Sequence, residues 1–273
     1  MTPRSDKITL PNGLTVHCLM SGAGSIPIVF LHGYSLSAQT WVRIMPALPA
    51  VYRAYALDIR GFGLSDKPAG GYTYDILVED LTAFLDALNL PKAVFVGHSF
   101  GGCILQHFAV RYPARLQALI LSNTYACNLP PQGITAGVQT RLDGYGTEAQ
   151  NREIFSRTVP RYFDPANVTP QDAASFIALA LQAGNPALKQ TLRTMYASPA
   201  IPMERLAAIQ APTLIIVGTH DPYGTFDQAV ALSDCIPNSR IAVMPCCGHS
   251  PMWEKPQEYV GILSGFLRDN GLV

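Results

Sequence analysis

Short unbroken apolar runs alternate along the chain with stretches whose apolar residues recur every three to four positions. Ile8–Leu10 and Leu14–Met20 flank Pro11-Asn12-Gly13 and predict a hairpin. Ile26–Leu31, Tyr52–Leu57, Ala93–Val96, Leu119–Leu121, Leu214–Val217 and Ile241–Met244 are continuous and apolar, as strands covered on both faces are. Between them, Ser37 is placed to cap a helix running to Leu48. Thr73–Leu88 carries a stripe of Ile76, Leu77, Leu81, Phe84, Leu85 and Leu88, Ser99–Tyr112 stops at Pro113, and Gln257–Leu267 ends the pattern. Strands alternating with helices imply right-handed crossovers and a mostly parallel, eight-stranded sheet flanked by helices, an α/β fold.

The alternation stops between Tyr125 and Pro199. This stretch has no strand-like run and is punctuated by prolines, with helices expected over Gly133–Leu142, Thr147–Thr158, Gln171–Gln182 and Pro186–Tyr196. A helical block inserted after the sixth strand reads as a cap (residues 125–199) over a core made of residues 1–124 and 200–273. Its apolar residues Ile134, Val138, Leu142, Phe155, Phe176, Leu179 and Met195 are candidates to face a substrate or to pack the cap onto the core.

Composition agrees with a large buried core: 273 residues, 48% hydrophobic and 14% charged, with a formal net charge of +0. The basic residues are scattered, which argues against nucleic-acid or anionic-membrane partners. No signal peptide is evident at the N-terminus and no apolar run reaches membrane-spanning length, so the expected location is cytoplasmic, as a monomer or homodimer. The six cysteines fit neither a zinc site nor a disulfide framework, and no dinucleotide fingerprint is present, so no metal or cofactor is expected.

The chemistry concentrates in Gly97-His98-Ser99-Phe100-Gly101, which follows a strand and opens a helix. A G-x-S-x-G in that setting places the serine on a sharp turn where side chains at the flanking glycines would collide with strand or helix. Its hydroxyl needs a base. His17 lies in the early hairpin, His107 is mid-helix and His98 is on the wrong side of the turn to reach its neighbour. His249 follows the last strand, at the sheet edge where catalytic groups gather, and is the expected base. Asp221, ending the strand before Pro222, is the expected acid, while Asp227 and Asp234 fall in a following helix. The Phe100 N–H and the Tyr34 N–H are the expected oxyanion donors. His32, Gly33, His98 and Trp253 are expected at the substrate site.

With Phe30-Leu31-His32-Gly33, Asp58-Ile59-Arg60-Gly61-Phe62-Gly63-Leu64-Ser65, Gly218-Thr219-His220-Asp221 and Gly248-His249-Ser250-Pro251-Met252-Trp253-Glu254-Lys255-Pro256, the elbow makes a series of motifs that resembles the α/β-hydrolase superfamily over nearly the whole chain. The resemblance implies a serine hydrolase acting on a small-molecule ester or lactone. It extends to bacterial carboxylesterases, lactonases, cofactor-free perhydrolases and carbon–carbon bond hydrolases. The serine nucleophile sets the chain apart from the dehalogenases and epoxide hydrolases, whose chemistry the resemblance ties to an aspartate. A signal-binding receptor of the same fold is a further alternative, against which the complete set of Ser99, His249 and Asp221 argues.

Overall fold

The computed structural model describes residues 2–273. Eight strands form one sheet: β1 (Arg4–Thr9), β2 (Thr15–Ser21), β3 (Ile26–Leu31), β4 (Tyr52–Leu57), β5 (Ala93–His98), β6 (Leu116–Ser122), β7 (Thr213–Gly218) and β8 (Ser239–Met244). Their spatial order is β1-β2-β4-β3-β5-β6-β7-β8. β1 and β2 pair antiparallel, as do β2 and β4, and the remaining pairs are parallel. The first hairpin turns at Gly13, whose φ of 84° is one that a residue with a Cβ rarely adopts.

The continuous apolar runs are explained by a core on each side of the sheet. Along β5, Ala93 and Phe95 join one core while Val94 and Val96 join the other, and β3 divides Val29 and Leu31 from Ile28 and Phe30 in the same way. The first core is closed by α1 (Tyr74–Ala87) and α2 (Phe100–Arg111), and the second by the last helix. Thr73 caps α1 by accepting from the Ile76 N–H.

Between β6 and β7 the chain forms α3 (Ala136–Gly144), α4 (Glu148–Thr158), α5 (Pro170–Ala180) and α6 (Asn185–Ala197), followed by the short α7 (Met203–Ala207). Capping boxes at Thr147/Gln150 and Thr169/Asp172 start α4 and α5. The insertion leaves and rejoins the core at one place, where the Ile201 N–H donates to the Cys127 carbonyl at 2.7 Å. α8 (Phe226–Ser233), α9 (Pro251–Glu254) and α10 (Pro256–Asp269) complete the chain.

The helix expected from Ser37 to Leu48 is instead two 3-10 turns, Ala38–Trp41 and Met45–Ala47. Pro46 has no N–H to continue a helical ladder, and the Ala38 N–H is taken by the Asp58 carboxylate at 2.6 Å.

The strand order reverses direction between β3 and β5. β4 lies on one side of β3, and the chain then crosses to β5 on the other. The loops after β3 and β5 therefore diverge around a crevice at the carboxyl edge of the sheet, where such folds bind ligands.

Candidate active site

Ser99 sits at that crevice. Its φ of 51° and ψ of −117° place it in a backbone conformation that only a tight surrounding maintains. The Ser99 N–H donates to the Ser122 carbonyl at 3.0 Å, and its own carbonyl accepts from the Thr124 hydroxyl at 2.7 Å. A Cβ on Gly97 would lie 2.7 Å from the Gly101 carbonyl oxygen, and one on Gly101 would lie 2.5 Å from that of Leu31, so both flanking positions exclude any larger residue. The loop after β3 also comes close: a Cβ on Gly33 would stand 2.8 Å from the His98 Nδ1 and 3.2 Å from the Ser99 Cβ. The N–H groups of Tyr34 and Phe100 have no hydrogen-bond partner among the described residues. Phe100 opens α2, where the helix dipole adds to the attraction for a negative charge.

His249 and Ser99 line the same cavity. The His249 Nδ1 lies 2.8 and 2.9 Å from the two carboxylate oxygens of Asp221, so its Nδ1 carries the hydrogen and its Nε2 is left to accept one. Burial pushes the Asp221 carboxyl up, but the facing His249 imidazole, the Tyr223 N–H at 2.7 Å and the Asn123 side-chain amide at 2.8 Å outweigh it and hold the pKa below the ordinary aspartate value. Asn123, itself at a φ of 48°, also donates to the Gly248 carbonyl at 3.1 Å, tying the acid to the loop that carries His249. Tyr223 stands edge-on to the His249 ring with centroids 5.0 Å apart.

The His249 loop is held from below and above. Below, the His98 Nε2–H donates to the His249 carbonyl at 2.6 Å. Burial, and after it the neighbouring His249, lowers the His98 pKa to about 3, so this ring is neutral. Above, the His249 N–H donates to the carbonyl of Tyr162, a residue of the insertion, at 2.9 Å. The buried Glu254 carboxylate gathers the rest, accepting from the Gly248 N–H at 2.9 Å, the Ser250 N–H at 3.2 Å, the Asp164 N–H at 2.9 Å and the Asn167 side chain at 3.2 Å. One carboxylate thus joins the His249 loop to the insertion.

The structure brings Ser99, His249, Asp221, Gly33, Tyr34, Phe100 and His98 together, but it turns His32 and Trp253 away from the cavity. His32 is fully buried. Its Nδ1–H donates to the Gly33 carbonyl at 2.8 Å and its Nε2 accepts from the Ile59 N–H at 3.0 Å, so both ring nitrogens are spent on shaping the loop. Trp253 donates from Nε1 to Asp172 at 2.8 Å and packs against Phe176 with centroids 5.0 Å apart, which fastens α9 to α5. Of the seven apolar candidates in the insertion, only Met195 lines the cavity. Leu142, Phe155 and Phe176 are buried in packing and Ile134 is exposed. The insertion also contributes Arg141, Tyr162 and Tyr196, which the apolar pattern does not single out.

The cavity at Ser99 has a volume of about 40 Å³. A second cavity of about 220 Å³ lies beyond Tyr125, Met195 and Tyr196, which line both and so form the partition between them.

An eight-stranded sheet of this order, with a serine on the β5–α2 turn and a histidine–carboxylate pair on the loops after β8 and β7, defines a class of hydrolase-like architecture. The chain belongs to the alpha/beta hydrolase fold family, whose model matches residues 26–256. It is 28% identical to 2-hydroxymuconate semialdehyde hydrolase of Pseudomonas sp. (strain CF600), over 98% of this chain and 95% of that one. It is also 28% identical to 3-oxoadipate enol-lactonase 1 of Acinetobacter baylyi, over 96% of each. Among solved structures it resembles a thermophilic esterase from Thermogutta terrifontis, with a TM-score of 0.84, 25% identity, and coverage of 98% and 99% of the two chains.

Proposed function

We propose that the protein hydrolyses a small carboxylic ester or lactone through an acyl-enzyme on Ser99. The observation that carries this is the convergence on one cavity of a serine in a strained turn and an imidazole whose other nitrogen is tied to a buried carboxylate. The Ser99 hydroxyl attacks the substrate carbonyl carbon while His249 Nε2 takes the hydroxyl proton. Charge collects on the former carbonyl oxygen, facing the N–H groups of Tyr34 and Phe100, and each such donor is worth about 2.7–4 kcal/mol in the transition state. Collapse breaks the carbon–oxygen bond, and His249 returns the proton to the departing alcohol. Water, deprotonated by His249, then attacks the acyl carbon and releases the acid and Ser99.

The helical insertion acts as a cap in this reading. A 40 Å³ cavity is far below the roughly 300–1,000 Å³ of ordinary ligand sites, which supports a reading in which side chains of the insertion move to admit the substrate. Likeness to the enol-lactonase and the esterase supports ester chemistry.

Likeness to the 2-hydroxymuconate semialdehyde hydrolase favours a second reading, in which the same residues cleave a carbon–carbon bond of a vinylogous diketone. Assay of 4-nitrophenyl acetate and butyrate beside such a diketone separates the two. Efficient turnover of the esters supports the first reading, and turnover of the diketone alone replaces it with the second.

A further inference from the structure

Arg141, on α3, lines the Ser99 cavity. Arg60 and Arg115, which are also partly covered, pair with Asp80 and Asp86, and the exposed Arg43 pairs with Asp172. The other arginines without a carboxylate, such as Arg53, Arg161 and Arg193, are exposed to solvent. Arg141 is neither exposed nor paired with a carboxylate among the described residues.

Phenols surround it instead. Its Cζ lies 5.0 Å from the Tyr34 ring centroid and 5.9 Å from that of Tyr145. A hydrogen-bonded chain runs from Arg141 through both hydroxyls, and its direction follows from its two ends, since an arginine N–H can only donate and a carbonyl can only accept. The Arg141 Nε–H donates to the Tyr145 hydroxyl at 2.7 Å, and the Tyr34 hydroxyl donates to the Leu188 carbonyl at 2.9 Å. The contact of 3.0 Å between the two phenols is therefore a donation from Tyr145 to Tyr34. Both phenolic hydrogens are committed away from the guanidinium. Burial pushes the Tyr34 hydroxyl well above the ordinary phenol value and raises that of Tyr145, so neither supplies a negative charge at neutral pH. The Arg141 Nη2 is sealed from solvent without a hydrogen-bond partner. A charged N–H group withdrawn from water without a partner is costly.

We propose that Arg141 anchors a carboxylate on the substrate, so that the preferred ester or lactone carries a free acid group beside the bond attacked by Ser99. The proposal rests on the reading of Ser99 as the nucleophile. A guanidinium N–H is a permanently charged donor, and a carboxylate oxygen is the acceptor that also supplies the missing counter-charge. Arg141 is the sole Lys or Arg side chain lining this cavity among the described residues, so the site supplies one positive charge, which suits a monoanion rather than a phosphate dianion.

The test is calorimetric titration of the full-length Ser99→Ala protein, in which turnover is blocked, with monomethyl glutarate and with neutral dimethyl glutarate. Charge-assisted hydrogen bonds of this kind predict that the monoester binds about tenfold to a hundredfold more tightly. Adding Arg141→Met is expected to erase the preference, and adding Arg141→Lys to keep part of it. Failure of the monoester to bind more tightly overturns the proposal, as does a preference that survives Arg141→Met in a protein with unchanged circular dichroism. The first comparison needs no change at Arg141, so it stands even where the methionine variant does not fold. Ester turnover by the wild-type protein tests the reading of Ser99 separately.

Discussion

The backbone N–H of His249 donates to the carbonyl of Tyr162, so the loop bearing the imidazole is held by a residue some ninety positions earlier, in the helical insertion. The buried Glu254 carboxylate reinforces the same junction, reaching the N–H groups of Gly248, Ser250 and Asp164.

Glu254→Ala strands these donors and is expected to destabilise the protein by about 2–4 kcal/mol and to lower kcat with it. Glu254→Gln keeps the volume but turns an amide NH2 toward N–H donors, and is expected to fall between alanine and wild type. Urea unfolding together with ester kinetics measures both. A Glu254→Ala protein within about 0.5 kcal/mol of wild type would remove Glu254 from its role at the junction.

Ser99→Ala is expected to lower kcat for 4-nitrophenyl butyrate by about four to six orders of magnitude, because the remaining groups only bind and polarise the substrate. Circular dichroism and the unfolding midpoint are expected to stay near wild type. Retention of a tenth of the activity would point to another nucleophile.

Acid stability follows from buried neutral histidines. Burial lowers the pKa of His98 to about 3, that of His107 to about 4, and that of His32 as well, from an ordinary value of 6.5. The unfolded chain takes up these protons near pH 6.5 and the folded chain does not. Stability is therefore whole above pH 6.5 and is lost as the pH falls toward the folded values, by up to about 1.4 kcal/mol per pH unit for each histidine. Asp221, held below 3.8, adds a later loss as the pH falls through its folded value. Urea unfolding at pH 7.5, 6 and 5 reads the slope, and His107→Asn is expected to make it shallower. Equal stability at pH 7.5 and pH 5 would contradict the assignment.

Met195→Ala is expected to open the partition between the 40 Å³ and 220 Å³ cavities. Preference should shift toward longer acyl chains, with each added methylene worth about 1–3 kcal/mol in kcat/KM. A panel of 4-nitrophenyl esters from acetate to octanoate checks this. An unchanged ranking in a folded variant would place chain-length selection elsewhere.

The parts of this molecule that were legible in advance are those whose cause is local. The runs that become β3 to β7 are apolar because both faces are covered, whereas β8, at the sheet edge, leaves Val243 exposed, and the turn at Ser99 is recognisable because Gly97 and Gly101 are demanded within five residues of each other. Asp221 and His249 stand immediately after strands, where position in the chain already implies the sheet edge. The remaining features depend on contacts between distant segments. Nothing around Glu254 announces that it will meet Asp164, and Arg141 sits on a helix whose apolar stripe points to Val138 and Leu142 instead. His32 and Trp253 show the opposite failure. A polar aromatic beside a motif suggests a ligand contact, yet each spends its nitrogens on protein partners.

The neck at Cys127 and Ile201 bears on how such a protein can change. Because the insertion departs and returns at adjacent points, the neck alone would let everything beyond it be exchanged for another segment without altering the sheet. The bracing of His249 by Tyr162, and of Glu254 by Asp164 and Asn167, denies the chain that freedom. Replacing the insertion would carry away the support of the imidazole. Successful grafts would have to bring their own carbonyl to the His249 amide, so the segment around Tyr162 would be inherited with the core while the helices on either side diverge.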